Sequence, residues 1–242
     1  MSSGARQQHA TRRLPPDRLW QPTTARWFYS IFGAALVYAV VRYHLAGDVA
    51  WAHFPLFIFN KAMSLAAVGF VASSYLVGKV FRWHDHDPRL RLVVIKFCGL
   101  MGFFMAGAHA FFSLCLWPPA YFGKCFEADG RMNLQGELAM ALGIAGLFLL
   151  MGPALATLPM MAKAVGGVRW KRGQRLGYVT LALVSVHLVV LGLKGWMAPE
   201  AWPMSIPPIS LVAVVLALVP LLVKKKLEHE KNLSQVAHEE TE

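Results

Sequence analysis

Six long runs of apolar residues constrain what this chain can fold into. They cover residues 27–43, 54–78, 92–117, 138–158, 176–196 and 207–223. A helix of about 20 apolar residues crosses the hydrocarbon core of a membrane. Charged residues make up 15% of the chain, against about 25% in soluble domains. The sequence therefore predicts an all-α integral membrane protein, a bundle of six transmembrane helices.

The distribution of Lys and Arg predicts how the bundle is oriented. The segments before span one, between spans two and three, between spans four and five, and after span six, counted together with Lys96 in the first turns of span three, hold 19 of the 24 basic residues. Because cytoplasmic segments of membrane proteins are enriched in Lys and Arg, both termini are predicted to be cytoplasmic. The net charge of +11 then reflects orientation and does not indicate nucleic-acid binding. The predicted parts are a basic tail (1–26), a six-helix domain (27–223) and a charged tail (224–242), expected to be a frayed helix or disordered.

Two histidines interrupt apolar runs at comparable positions. His109 lies eight residues before Trp117, at the end of run three, and His187 lies nine residues before Trp196, at the end of run five. At about 1.5 Å per residue, both imidazoles are predicted about 12–14 Å below the outer surface. Ionisable groups inside a membrane are costly and usually face the bundle interior. Neutral imidazole is a good axial ligand for haem iron, so the pair predicts a haem held between spans three and five.

The sequence also allows other roles for these two histidines. An intramembrane histidine can simply hydrogen-bond a neighbouring helix, and the chain would then be a structural or accessory subunit without haem. A proton relay would need further ionisable groups, but Glu137 is near the outer end of span four and no acidic residue is deeper. A transporter or channel is disfavoured for the same reason.

Basic side chains near the predicted haem are candidates for binding its propionates. Lys194 follows His187 by seven residues, which places it on the same helix face and about 10 Å further out. Arg131 and Lys61 are alternative candidates. We therefore predict His109 and His187 as the iron ligands, with Lys194 and Arg131 as further cofactor-binding residues and no catalytic residue.

A second histidine cluster lies in a predicted cytoplasmic loop. His84 and His86 alternate with Asp85 and Asp87, a pattern that can bind a metal ion. The loop is short and no Cys or third His lies beside it, so a metal site there is disfavoured and the role of the two histidines is left open.

The sequence resembles the ferric reductase-like transmembrane domain family, most closely the haem-binding membrane subunit of the bacterial periplasmic methionine sulfoxide reductase system. The matching pieces are G-L-M-G-F-F-M-A-G-A-H-A, which contains His109, and R-W-K-R-G-Q-R-L-G-Y, which precedes His187. The resemblance covers about residues 55–200. It implies a six-helix bundle with b-type haem that passes electrons across a bacterial inner membrane.

The sequence departs from the family pattern in one informative way. Family members often carry a further histidine about 13 residues before the position of His187, for a haem nearer the cytoplasm. Gln174 stands there, and Ile95 or Lys96 stands at the matching distance before His109. The resemblance therefore implies one haem b, in the outer half of the bundle.

The expected partners follow from this single haem. The electron donor is expected to be a quinol or the reduced flavin of a partner protein, because no dinucleotide-binding fingerprint follows span six. The acceptor is expected on the periplasmic side, as a redox protein or through other membrane subunits. The lipid bilayer is the remaining partner.

Overall fold

The computed structural model describes residues 19–78, 88–116, 119–158 and 167–239. Six helices in these ranges are long and apolar enough to cross a membrane, which confirms the predicted fold class. They are α1 (Pro22–Val40), α2 (Phe59–Leu76), α3 (Pro88–Cys115), α4 (Leu134–Ala156), α5 (Gly167–Trp196) and α6 (Ile209–Glu239). His84, His86 and Trp117 fall outside the described residues.

Short helical turns join the long helices at one end of the bundle, which we call the loop end. It is the end where α1 meets α2, α3 meets α4 and α5 meets α6. We call the opposite end the tail end. The turns are Val41–Leu45, Trp51–His53, Phe54–Ile58, Pro119–Phe122, Gly123–Cys125, Pro199–Ala201 and Pro203–Ser205. The Lys and Arg distribution predicts that the loop end faces outward.

The helices extend beyond the apolar runs at the tail end. α5 starts at Gly167, nine residues before the apolar run, and α6 continues to Glu239, well past Val223. The segment after Val223, for which a frayed helix was one of the two expectations, is helical as far as Glu239. Two lysine–glutamate pairs spaced four residues apart, Lys224–Glu228 and Lys226–Glu230, have N–O distances of 3.8 Å there. Such pairs stabilise a solvated helix.

Five of the helices form a closed ring. α2 packs on α3, α3 on α4, α4 on α5, α5 on α6, and α6 returns to α2, while α1 lies outside the ring against α2. The contact between α3 and α4 is the least extensive of the five. A ring of five helices leaves a space at its centre, and this space holds the site described below.

α2 is the most deeply packed helix of the bundle. Its residues Ala66 and Phe70 are fully buried, and it contacts α1 and three helices of the ring, α3, α5 and α6. In contrast, Phe104, Phe111 and Phe148 on α3 and α4 are exposed. Apolar side chains exposed on a helix that can span a membrane are suited to contact lipid.

Close approach of α2 and α3 depends on Gly102. A Cβ atom at Gly102 would lie 2.6 Å from Val71 Cγ2 and 3.1 Å from the Val71 backbone nitrogen.

We expect Gly102→Ala to lower the free energy of unfolding by about 1–3 kcal/mol, because the two helices must separate. Thermal unfolding in detergent, followed by circular dichroism, measures this. Gly107 is the control on the same helix, since its Cβ would meet nothing within 4 Å, and Gly107→Ala should not destabilise. Equal unfolding midpoints for the two variants would contradict the packing argument.

Candidate functional site

The centre of the helix ring holds a cavity of about 450 Å³. Cavities that bury cofactors and other small ligands are commonly about 300–1,000 Å³. Its wall is mostly apolar and rich in small side chains. The alanines and glycines that line it are Ala67, Ala106, Ala110, Ala139, Gly143, Gly146, Gly192, Gly195 and Ala213. Both histidines predicted from the sequence, His109 and His187, line this one cavity.

His109 reaches the cavity from α3 and is bonded to α2. Its Nδ1 lies 2.7 Å from Oδ1 of Asn60, a side chain that is only 1% exposed. The Asn60 amide nitrogen in turn donates to Oγ of Ser113 at 3.1 Å, one turn along α3. The bond to Ser113 identifies the amide nitrogen of Asn60, so the atom facing His109 is the amide oxygen Oδ1. An amide oxygen can only accept, and Nδ1 of His109 therefore carries the proton.

His187 reaches the cavity from α5 and is bonded to α4. Its Nδ1 lies 2.7 Å from the carbonyl oxygen of Ala139, and a carbonyl can only accept, so this nitrogen also carries a proton. The ring lies close to α4 because Gly143 has no side chain. A Cβ there would lie 3.2 Å from Cε1 of His187. Gln135 makes a second link between these helices, donating to the Val190 carbonyl at 2.7 Å.

The two hydrogen bonds have the same chemical consequence. A neutral imidazole with the proton on Nδ1 has an unprotonated Nε2 with a lone pair, the atom that binds a metal. Metal-binding histidines usually donate their other ring N–H to a carbonyl or a similar acceptor, which fixes the tautomer and the ring orientation. His109 and His187 both meet this condition, and among the described residues no cluster of three or more His, Cys, Asp or Glu side chains could hold a metal ion by itself.

The structure separates the two basic residues that were predicted to bind the cofactor. Lys194 lines the cavity, as do Lys61 and Lys124. Arg131 does not line it. The Arg131 side chain is 87% exposed, and its Nε lies 3.5 Å from the Asp129 carboxylate. Arg131 is thus directed away from the two histidines.

The tail half of the bundle is filled by side chains at the level of Gln174. The Tyr75 hydroxyl donates to the Gln174 carbonyl at 2.7 Å. The Tyr75 ring packs directly against Gly177, and a Cβ atom at position 177 would overlap the ring. Tyr178 packs against Tyr75 with ring centroids 4.4 Å apart. Gln174 also donates to the Pro153 carbonyl at 3.4 Å. These contacts occupy the space beside the position at which the family's inner ligand is expected.

Sequence reasoning missed two supporting residues. Asn60 had a detectable signal, because an amide in a long apolar run is costly unless it is hydrogen-bonded. Gly143 had none, since it is one of 20 glycines and only the packing of α4 against α5 shows that its position faces an imidazole.

The fold and the site together define a class, a multi-pass helical membrane protein with two imidazoles on one central cavity. No protein-family model matches the sequence. Among curated proteins, the chain is similar to "Metalloreductase STEAP2" of Mus musculus and of Homo sapiens, with 26% identity over 196 residues in each case. Each match covers 70% of this chain and 40% of the relative, so the chain spans about two fifths of the length of these relatives.

The bond between Asn60 and His109 can be tested without any cofactor. Asn60→Leu removes the acceptor and leaves the His109 Nδ1–H buried with only a long 3.4 Å contact to Ser113. We expect the free energy of unfolding in detergent to fall by about 1–3 kcal/mol. Ser74→Ala is the control on the same helix, because the Ser74 hydroxyl bonds only the Val71 carbonyl within α2, and its effect should be below about 0.5 kcal/mol. An Asn60 variant as stable as this control would show that the bond contributes nothing.

Proposed function

We propose that this chain is a b-type haem electron-transfer subunit of a membrane oxidoreductase system, with one haem per chain. It takes electrons from a quinol or a reduced flavin and passes them to an acceptor at the loop end, on the periplasmic side of a bacterial inner membrane. The observation that carries the proposal is the pair of imidazoles on one cavity, each with Nδ1 bonded to a neighbouring helix and Nε2 left unprotonated.

The donor set fits a haem better than a bare metal ion. The neutral imidazoles of His109 and His187 would hold the iron of a haem, and the porphyrin would supply the remaining ligands. When bound, haem supplies a one-electron ferric–ferrous couple, which is the cofactor's own chemistry. The protein's part is to hold the two rings in orientation, which Asn60 and the Ala139 carbonyl do, and to surround the group with an apolar wall. Lys194 is proposed as a partner for a propionate.

The relatives support the broad assignment. Both are named metalloreductases, which are redox proteins, and they support membership of a ferric reductase-like membrane family. The finer likeness, to the haem-binding subunit of the methionine sulfoxide reductase system, is a proposal supported by the motifs around His109 and before His187. The electron donor and the electron acceptor named above are likewise proposals.

The structural alternative uses the same two hydrogen bonds. If the histidines only joined helices, Asn60–His109 and Ala139–His187 would be their entire role. That role needs only one nitrogen of each ring. It does not explain why both rings also line a single cavity, when a residue that only joins two helices could lie entirely within their contact. The alternative predicts a stable protein that binds no haem, so absorption spectroscopy separates the two.

Axial ligation predicts a spectrum that depends on both histidines. Protein purified from haem-replete cells should show a b-type spectrum on reduction with dithionite, and His109→Ala or His187→Ala should each abolish it. His44→Ala is a matched control, because His44 bonds the Val49 carbonyl at 2.7 Å and packs on Trp51 outside the cavity wall. Its spectrum should match the parent. A well-folded parent protein without haem would overturn the proposal.

The packing around Tyr75 predicts the number of haems. Pyridine haemochrome analysis should give one haem per chain. Gln174→His should leave that number unchanged, because the Tyr75 ring fills the adjacent space and α3 offers only Ile95 or Lys96 as the opposite ligand. Two haems per chain in either protein would refute the single-site assignment.

A further inference from the structure

The loop end of the cavity has an excess of positive charge. Lys61, Lys124 and Lys194 line the cavity, and no Asp or Glu is among its lining residues. Within the described part of the chain, no carboxylate lies within ion-pair distance of any of these three ammonium groups. Cations in an apolar surrounding are unfavourable unless an anion compensates them. Lys124 and Lys194 are exposed, whereas Lys61 is partly buried, so Lys61 is the cation that most lacks a compensating anion within the described residues.

Lys61 is the most enclosed of the three lysines. It directly follows Asn60 on α2, so its backbone lies at the level of His109. Its ammonium lies 5.2 Å from the ring centroids of Phe57 and Phe122, and Phe57 is one turn nearer the loop end. The side chain thus runs from the level of His109 toward the loop end and places its charge between two aromatic rings, which bind cations weakly compared with a carboxylate.

Lys124 approaches the same region from the loop between α3 and α4. Its Nζ donates to the Leu191 carbonyl, which lies one turn beyond His187 toward the loop end. Lys61 and Lys124 line the same cavity. The Lys124 residue as a whole is exposed, and partial burial of its ammonium lowers its pKa.

We propose that Lys61 and Lys124 form a carboxylate-binding site at the loop end of the cavity, and that, together with Lys194, they bind the propionates of the haem held by His109 and His187. This inference rests on the proposed function and goes beyond it by assigning the anion-binding residues. It also implies that the propionates point toward the loop end, since both ammonium groups lie on that side of the histidines. An anionic lipid headgroup offers similar chemistry and is distinguished by the experiment.

Transfer of haem from the full-length holoprotein to excess apomyoglobin tests the proposal. Lys61→Met and Lys124→Met should each release haem about tenfold faster than the parent, because each removes a charge-assisted bond. Lys61→Arg should stay close to the parent because it keeps the charge. Arg131→Met is the charge-matched control in the same loop and should not change the rate. Absorption spectra of each variant before transfer check that the axial ligands are intact.

Reconstitution with an esterified porphyrin identifies the anion. Haem-free parent protein should bind iron protoporphyrin dimethyl ester about tenfold more weakly than haem, and the Lys61→Met/Lys124→Met double variant should lose this preference. Unchanged release rates and an unchanged preference would overturn the inference while leaving the haem itself in place. Loss of bound phospholipid phosphate in the variants, with haem release unchanged, would assign the site to lipid and overturn it too. A parent protein that binds no haem would overturn both proposals.

Discussion

The site depends on how a buried imidazole divides its two nitrogens. In an apolar bundle each polar atom must find a partner or remain at a cost. The Nδ1 atoms of His109 and His187 find theirs in Asn60 and the Ala139 carbonyl, which ties α3 to α2 and α5 to α4. The same bonds that join the helix ring therefore also set the tautomers. A change that breaks either bond would therefore affect both the stability of the helix ring and the tautomer of the imidazole.

The two ends of the bundle differ in what fills them. Toward the loop end there is a cavity with two imidazoles and three lysines. Toward the tail end, Tyr75 packs beside Gly177 and against Tyr178, and Lys224 lies 4.9 Å from the Tyr178 ring centroid. A glycine at position 177 is required for this arrangement, since any side chain would displace the tyrosine. The asymmetry is thus a property of specific packed residues and not only of a missing histidine.

The sequence was sufficient to predict the number of spans and the two histidines, since apolar length and intramembrane ionisable groups are read from the chain directly. It could not show that Arg131 is exposed while Lys124 lines the cavity. Both residues lie in one loop, and only the backbone path of that loop determines which side chain faces the cavity. The sequence placed the end of the last span near Val223 but could not decide between helix and disorder beyond it, because apolar length marks membrane thickness and not helix length. Beyond Val223, lysine–glutamate pairs continue α6 through polar sequence.

The packed tail end also bears on where electrons enter. Gln174 and His187 are 13 residues apart on α5, so the cavity histidine lies about 20 Å from the level of Gln174. A flavin docked at the tail end would have to pass electrons past the packed rings of Tyr75 and Tyr178 before they reach the cavity, whose wall extends toward that end as far as Val71 and Thr180. A quinol is soluble in the bilayer, and α3 and α4 share the least extensive contact of the ring, with the exposed side chains of Leu114 and Ile144 on the cavity wall there. Of the two proposed donors, the quinol requires the shorter path, because it can reach the wall of the cavity from within the membrane.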